Sequence, residues 1–328
     1  MKRRTRLLGA LAAILLTAPL AACGLQPASG YAPPVEPVSI QPIEGAEDYS
    51  ITVGSKNFTE QLILGKIAVL VLRAAGFPVT DATNLPGSVA AREAMLSGNT
   101  DMQWEYTGTA WVSYMGEEGI PDQEKQWQAV YDADLKNGLT WLPPAPMNNT
   151  YGFAMGPGAT EELGISKLSQ IADLPVEERT FCVESEFRSR DDGLEPMLKH
   201  YDIPLGDPNG VPDGNLLVMD TGAIYQATAD GACNFGEIFT TDGRIIALDL
   251  TLLEDDEKYF PSYNVAPVLQ TEVMEEFPEI KDLFAQISPL LTSEQLIDLN
   301  SRVDVDGEQP ANVALDWLTE NGFLKRVG

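Results

Sequence analysis

The sequence predicts an α/β protein built from two domains. Three observations carry this. The chain has 328 residues, more than one ordinary domain needs. Hydrophobic residues make up 44% and charged residues 21%, the balance of a soluble protein with a sizeable core. Short apolar runs alternate with segments of helical period from residue 49 to the end, which favours mostly parallel sheets covered by helices.

The elements follow in order. Residues 1–22 have the form of an export signal: Lys2, Arg3, Arg4 and Arg6, then the apolar run 7–16. Small residues lead into Cys23, as in a bacterial lipobox, where the cysteine is lipidated and becomes the first mature residue. Residues 23–48 are rich in proline, with Pro27, Pro33, Pro34, Pro37 and Pro42, and read as a flexible tether. No later run reaches the roughly 18 apolar residues of a membrane helix, so a lipid anchor on the outer face of the membrane is expected.

Residues 51–53 read as a buried strand. A helix over 59–75 follows, because Ile63, Ile67, Leu70, Val71 and Ala74 fall on one face. Asn57 and Glu60 have the spacing of an N-cap with its reciprocal acid. Strands are predicted at 79–85, 101–105, 151–155, 179–184, 216–219, 234–239, 245–250 and 265–269. Helical segments are predicted at 88–96, 107–115, 122–136, 166–173, 193–200 and 223–229. The C-terminal part reads as helical over 271–277, 280–287, 292–302 and 311–321. Thr292 and Gln295 have capping-box spacing.

The formal charge of −28 argues against nucleic acid, which needs a basic face. No HExxH, GxSxG or Walker-type glycine loop is present, and one histidine, His200, cannot build a histidine-rich zinc site. No enzyme, metal or cofactor is therefore expected. Cys182 and Cys233 lie in β-like stretches of an exported chain. A structural disulfide is the preferred reading, with two buried thiols as the alternative.

Aromatic residues collect at strand ends and loops: Trp104, Tyr106 and Trp111, then Tyr151, Phe239 and Tyr263. Ligands in open α/β sheets bind beyond the carboxyl ends of strands. Four motifs occur in succession: residues 54–61 (GSKNFTEQ), 105–110 (EYTGTA), 241–245 (TDGRI), and 253–256 (LEDD) with 260–264 (FPSYN). Together, behind a lipobox, they resemble the osmoprotectant-binding proteins of ABC importers, which take glycine betaine, carnitine or choline. The resemblance covers about residues 50–325.

It implies a type II periplasmic-binding-protein fold, with two lobes, a hinge and two crossovers. Lobe one would comprise 49–149 plus 263–328, and lobe two 150–262. It implies an aromatic cage of Tyr106, Tyr151, Phe239 and Tyr263 around a quaternary ammonium. Many relatives carry Tyr where this chain has Phe239, which keeps the ring face and loses a hydroxyl. Arg190 resembles the anion-binding arginine for a ligand carboxylate, with Arg188 as its rival. Thr109, Lys56, Asn57, Gln61 and Asn149 are further ligand contacts or rim residues. The implied partners are a small solute and an ABC permease, and the implied state is a monomer. The alternative is the same fold tuned to an amino acid or polyamine.

Overall fold

The computed structural model describes residues 33–120 and 122–327. The export signal and the lipidation candidate Cys23 lie outside the described residues. The strands run β1 (Val35–Pro37), β2 (Ile51–Lys56), β3 (Val79–Leu85), β4 (Met102–Tyr106), β5 (Leu139–Trp141), β6 (Tyr151–Met155), β7 (Phe181–Val183), β8 (Leu216–Val218), β9 (Phe235–Phe239), β10 (Thr251–Leu252), β11 (Val265–Gln270) and β12 (Leu324–Arg326).

Two five-stranded sheets organise the molecule. One has the order β3-β2-β4-β11-β5, the other β10-β6-β9-β7-β8. The chain passes from the first sheet to the second between β5 and β6 and returns between β10 and β11. Each sheet with its helices is one lobe. The expectation of mostly parallel pairing needs correction. Strands β2–β3, β2–β4, β7–β8 and β7–β9 are parallel. Strands β4–β11, β5–β11, β6–β9 and β6–β10 are antiparallel. The antiparallel pairs gather around β6 and β11, the first strands after each crossing. Alternation of strand and helix in sequence does not reveal the direction in which such a strand enters its sheet.

The helix Thr59–Ala74 is buried almost all round, against β2 and β3 on one side and the helix Pro310–Glu320 on another. Leu64, Ala68, Val69 and Leu72 join the predicted apolar face at zero exposure. A helix apolar on every side belongs inside a core. Asn57 does not cap it. The capping position is Phe58, whose side chain makes no cap bond, and the Asn57 Oδ1 accepts instead from the Gly87 N–H at 3.2 Å. Thr292 does cap its helix, accepting from the Gln295 N–H at 3.2 Å.

Three further corrections concern element type. Residues 245–250 are not a strand: Arg244–Ala247 is one helical turn, and only Thr251–Leu252 adds to the sheet edge. Strand β5 was not anticipated. The tether does not extend to residue 48. Strand β1 pairs antiparallel with β12, and Ile40, Ile43 and Ala46 are buried. The Ile43 N–H donates to the Ala75 carbonyl at 2.9 Å. Widely spaced apolar anchors among prolines show no helix or strand period, which is why composition hid this packing.

Cys182 and Cys233 form a disulfide with Cα atoms 5.8 Å apart. It joins β7 to the approach to β9, its neighbour in the second sheet. Among the described residues, no helix is long and apolar enough to cross a membrane.

Candidate functional site: an aromatic cleft between the lobes

Four strand ends deliver the site. Strand β2 passes into the helix Thr59–Ala74 through only two residues, so Lys56, Asn57 and Phe58 arrive together at one edge. Strand β4 ends in Tyr106 and continues to Thr109, where a six-residue π-helix begins. Gly108 has no room for a side chain: a Cβ there would lie 2.6 Å from the Tyr263 ring and 2.7 Å from the Ser262 carbonyl. Its absence lets Tyr263 close on the end of β4. Strand β6 opens with Tyr151, and β9 closes with Phe239. These two residues are direct register partners across the antiparallel pair.

The rings form one connected series. Phe58 stacks on Tyr106 at 6.1 Å and on Phe239 at 5.2 Å between centroids. Tyr151 lies 5.2 Å from Phe239 and 5.6 Å from Tyr263, the latter edge to face. Phe58, Tyr106 and Tyr263 belong to the first lobe; Tyr151 and Phe239 belong to the second. All five line one cavity of about 730 Å³. That is within the range of small-molecule sites.

Two of the three phenol hydroxyls are held by carboxylates. The Tyr106 hydroxyl donates to Glu60 Oε1 at 2.7 Å and the Tyr263 hydroxyl to Asp192 Oδ2 at 2.6 Å. Burial pushes the Tyr106, Tyr151 and Tyr263 phenols well above their ordinary range, so all three stay neutral. Neutral rings present negative π faces to the cavity.

The cavity also meets Lys56, Asn57, Thr109, Asn149 and Arg190. Gln61 is not on its wall. It is fully buried, and its Oε1 accepts from the Lys56 N–H at 3.3 Å. Gln61 lies one residue beyond Glu60, on a turn that faces the core. Arg190 is on the wall but already engaged: Nε and an outer nitrogen donate to Asp192 at 2.6 and 2.7 Å, and the other outer nitrogen donates to Glu186 at 3.3 Å. Its guanidinium carbon sits 5.3 Å from the Tyr151 ring centre. Burial opposes ionisation of Asp192, yet the Arg190 hydrogen bond and charge outweigh it and hold that carboxyl below the usual range. Its rival Arg188 is exposed. The other cations at the wall are paired as well. Lys56 contacts Glu105 at 2.6 Å, and Arg244 grips Asp242 through two nitrogens.

Two residues escaped the sequence reading. Phe58 bridges the lobes within the ring series, although its motif was noted. Glu60, spaced like a capping acid, is instead 2% exposed and accepts four hydrogen bonds. A glutamate in a first helical turn is common enough to conceal such a role. Trp104, grouped by sequence with the site aromatics, is core, 5.6 Å from Phe284. Among the described residues, no group of three His, Cys, Asp or Glu side chains is placed to hold a metal ion.

Residues 49–320 match the model of the substrate-binding domain of ABC-type glycine betaine transport systems. The chain belongs to this family. A glycine-betaine-binding protein of Pseudomonas aeruginosa is 37% identical over 287 residues, covering 85% of this chain and 90% of that one. The glycine betaine-binding protein YehZ of Escherichia coli is 30% identical over 282 residues, covering 84% and 92%. The crystal structure of a glycine betaine/carnitine/choline ABC transporter component aligns with TM-score 0.67 at 24% identity, over 83% of this chain and 98% of that one. The fold is that of type II periplasmic binding proteins, and membership makes the chain an extracytoplasmic substrate-binding component of an ABC importer.

Proposed function

We propose that the chain captures a small quaternary-ammonium solute, such as glycine betaine or choline, and delivers it to an ABC permease. The observation that carries this reading is the ring series Phe58, Tyr106, Phe239, Tyr151 and Tyr263, drawn from both lobes around one cavity.

A trimethylammonium has no N–H to donate, so hydrogen bonds cannot select it. Ring faces can, through their quadrupole and close contact with the methyl groups, at on the order of 1–2 kcal/mol per desolvated contact. Several such contacts support roughly micromolar affinity after association costs. The rings come from two lobes, so the ligand contacts them all only in the closed form and thereby favours closure. Thr109, Asn57 and Asn149 offer polar groups for the rest of the solute. Arg190 offers a ligand carboxylate only the N–H groups that Asp192 and Glu186 leave over. The lobe limits proposed are 49–149 with 263–328, and 150–262, the first lobe now also holding residues 33–48. A lipid anchor at Cys23 and action as a monomer complete the proposal.

Calorimetry with glycine betaine, choline, carnitine, proline betaine and ectoine tests it. At least one methylated cation binds the parent, and Tyr106→Ala and Tyr151→Ala abolish that binding. Parental affinity in both variants would refute the cage. Binding of a primary amine or amino acid in preference to every methylated cation would establish the alternative solute class.

A further inference from the structure

Resting on that reading, we infer that Glu60 is a positioning residue that ties the cage rings to lobe closure: one buried carboxylate collects donors from both lobes, three of the four in or beside a cage ring. The Tyr106 hydroxyl and Asn149 Nδ2 donate to Oε1 at 2.7 and 2.9 Å. The Thr241 hydroxyl and Asn300 Nδ2 donate to Oε2 at 2.6 and 3.3 Å. A carboxylate offers about four lone-pair sites, and four donors fill them.

The positions of these partners in the chain give the arrangement its meaning. Glu60 is two residues after Phe58. Tyr106 is itself a ring of the cage. Asn149 is two residues before Tyr151, on the crossing between lobes. Thr241 is two residues after Phe239, in the second lobe. One carboxylate therefore sits at the root of four of the five rings. Beside Phe58 and Phe239 is a small pocket of only about 10 Å³ whose lining includes Glu60, Asn149, Thr241 and Asn300. Glu60 is itself 2% exposed, so its carboxyl has little access to bulk solvent.

Opening the lobes withdraws the Thr241 hydroxyl and leaves a carboxylate oxygen short of a donor. Burial pushes the Glu60 carboxyl above its ordinary range against the pull of these four hydrogen bonds, and loss of one donor leaves a costly unmet acceptor. Closure thus restores a complete donor set at the same moment as it completes the cage.

Thr241→Val removes the cross-lobe hydroxyl and keeps the side-chain shape. Stopped-flow measurements with choline on the full chain are expected to show dissociation on the order of tenfold faster. Association changes by less than about twofold, because interface losses fall mainly on dissociation. Thr241→Ser restores the parental rate, and Glu60→Gln, which faces donors with an amide, speeds dissociation further. Parental dissociation in both Thr241→Val and Glu60→Gln overturns the inference. If the parent binds no methylated cation, the functional reading fails, and hydrogen exchange without ligand decides the latch. The Ser88 N–H donates to Glu186 Oε2 across the cleft at 3.2 Å. Faster exchange there in Thr241→Val supports the latch, and parental exchange overturns it.

Discussion

Phe58 shows how much a single ring can contribute without a polar handle. It is half-buried, touches Tyr106 in its own lobe and Phe239 in the other, and has no hydroxyl to anchor. Phe58→Ala should weaken binding of the preferred methylated cation on the order of tenfold, the worth of about one cation–π contact, in calorimetric titration. Glu237 belongs to the same scale. Burial pushes its carboxyl up to about 8, against an ordinary 4.5, although the Glu184 N–H donates to it at 2.7 Å. Between these values the folded chain holds a proton that the unfolded chain releases. Stability from this group is full below about 4.5, falls as pH rises, and is lost above about 8. Glu237→Gln should flatten that decline in denaturant titrations run across the window. Tyr106, Tyr151, Phe239 and Tyr263 were legible through motifs that resemble the family's, since an aromatic by itself is more often simply buried. Glu60 and Gln61 were not, because residues adjacent on a helix point in different directions, and only packing shows which one meets the site.

At the scale of elements, long periodic helices and buried strands followed from the sequence, while short pieces did not. Residues 245–250 are apolar over too few positions for period to separate strand from helix. Tertiary contacts decide: Arg244 pairs with Asp242 and lies 4.0 Å over the Tyr225 ring, which holds the chain in a turn. The disulfide is the firmest link between elements in the second lobe. It closes a separation of 51 residues, for which chain entropy alone predicts about 4 kcal/mol. Replacing both Cys182 and Cys233 by Ser should lower unfolding free energy by that order, measured by denaturant titration under oxidising conditions. Unchanged stability would mean that the second sheet holds its register without the bond.

For the whole molecule, the N-terminal segment matters more than its composition suggests. Strand β1 fastens the start of the described residues to their last strand, and the Val38 N–H donates to the Phe323 carbonyl at 2.9 Å. A chain beginning at residue 49 loses the buried Ile40 and Ile43 and uncovers strand β12 and the helix Thr59–Ala74, against which β1 packs. Burial of an isoleucine contributes about 1.5–3 kcal/mol, so the truncated chain should melt several degrees lower than one beginning at residue 33. Differential scanning calorimetry on the two chains checks this. Equal melting temperatures would return residues 33–48 to the role of tether.

The sequence by itself determined the α/β class and, through motifs in fixed order, the family, whose resemblance pointed to four of the five rings; it left the two cysteines open between a bond and buried thiols. Each rests on local patterns: period, turn residues, or motifs of adjacent residues. Tertiary structure alone decided which strands run antiparallel, that Phe58 completes the ring series, and that Arg190 already has acidic partners. It also decided that Glu60 gathers donors from four separate segments. These depend on contacts between residues far apart in the chain, such as Glu60 with Asn300 and Val35 with Arg326. A local pattern carries no information about such distant neighbours, because burial and hydrogen-bond partners exist only once the chain has closed on itself.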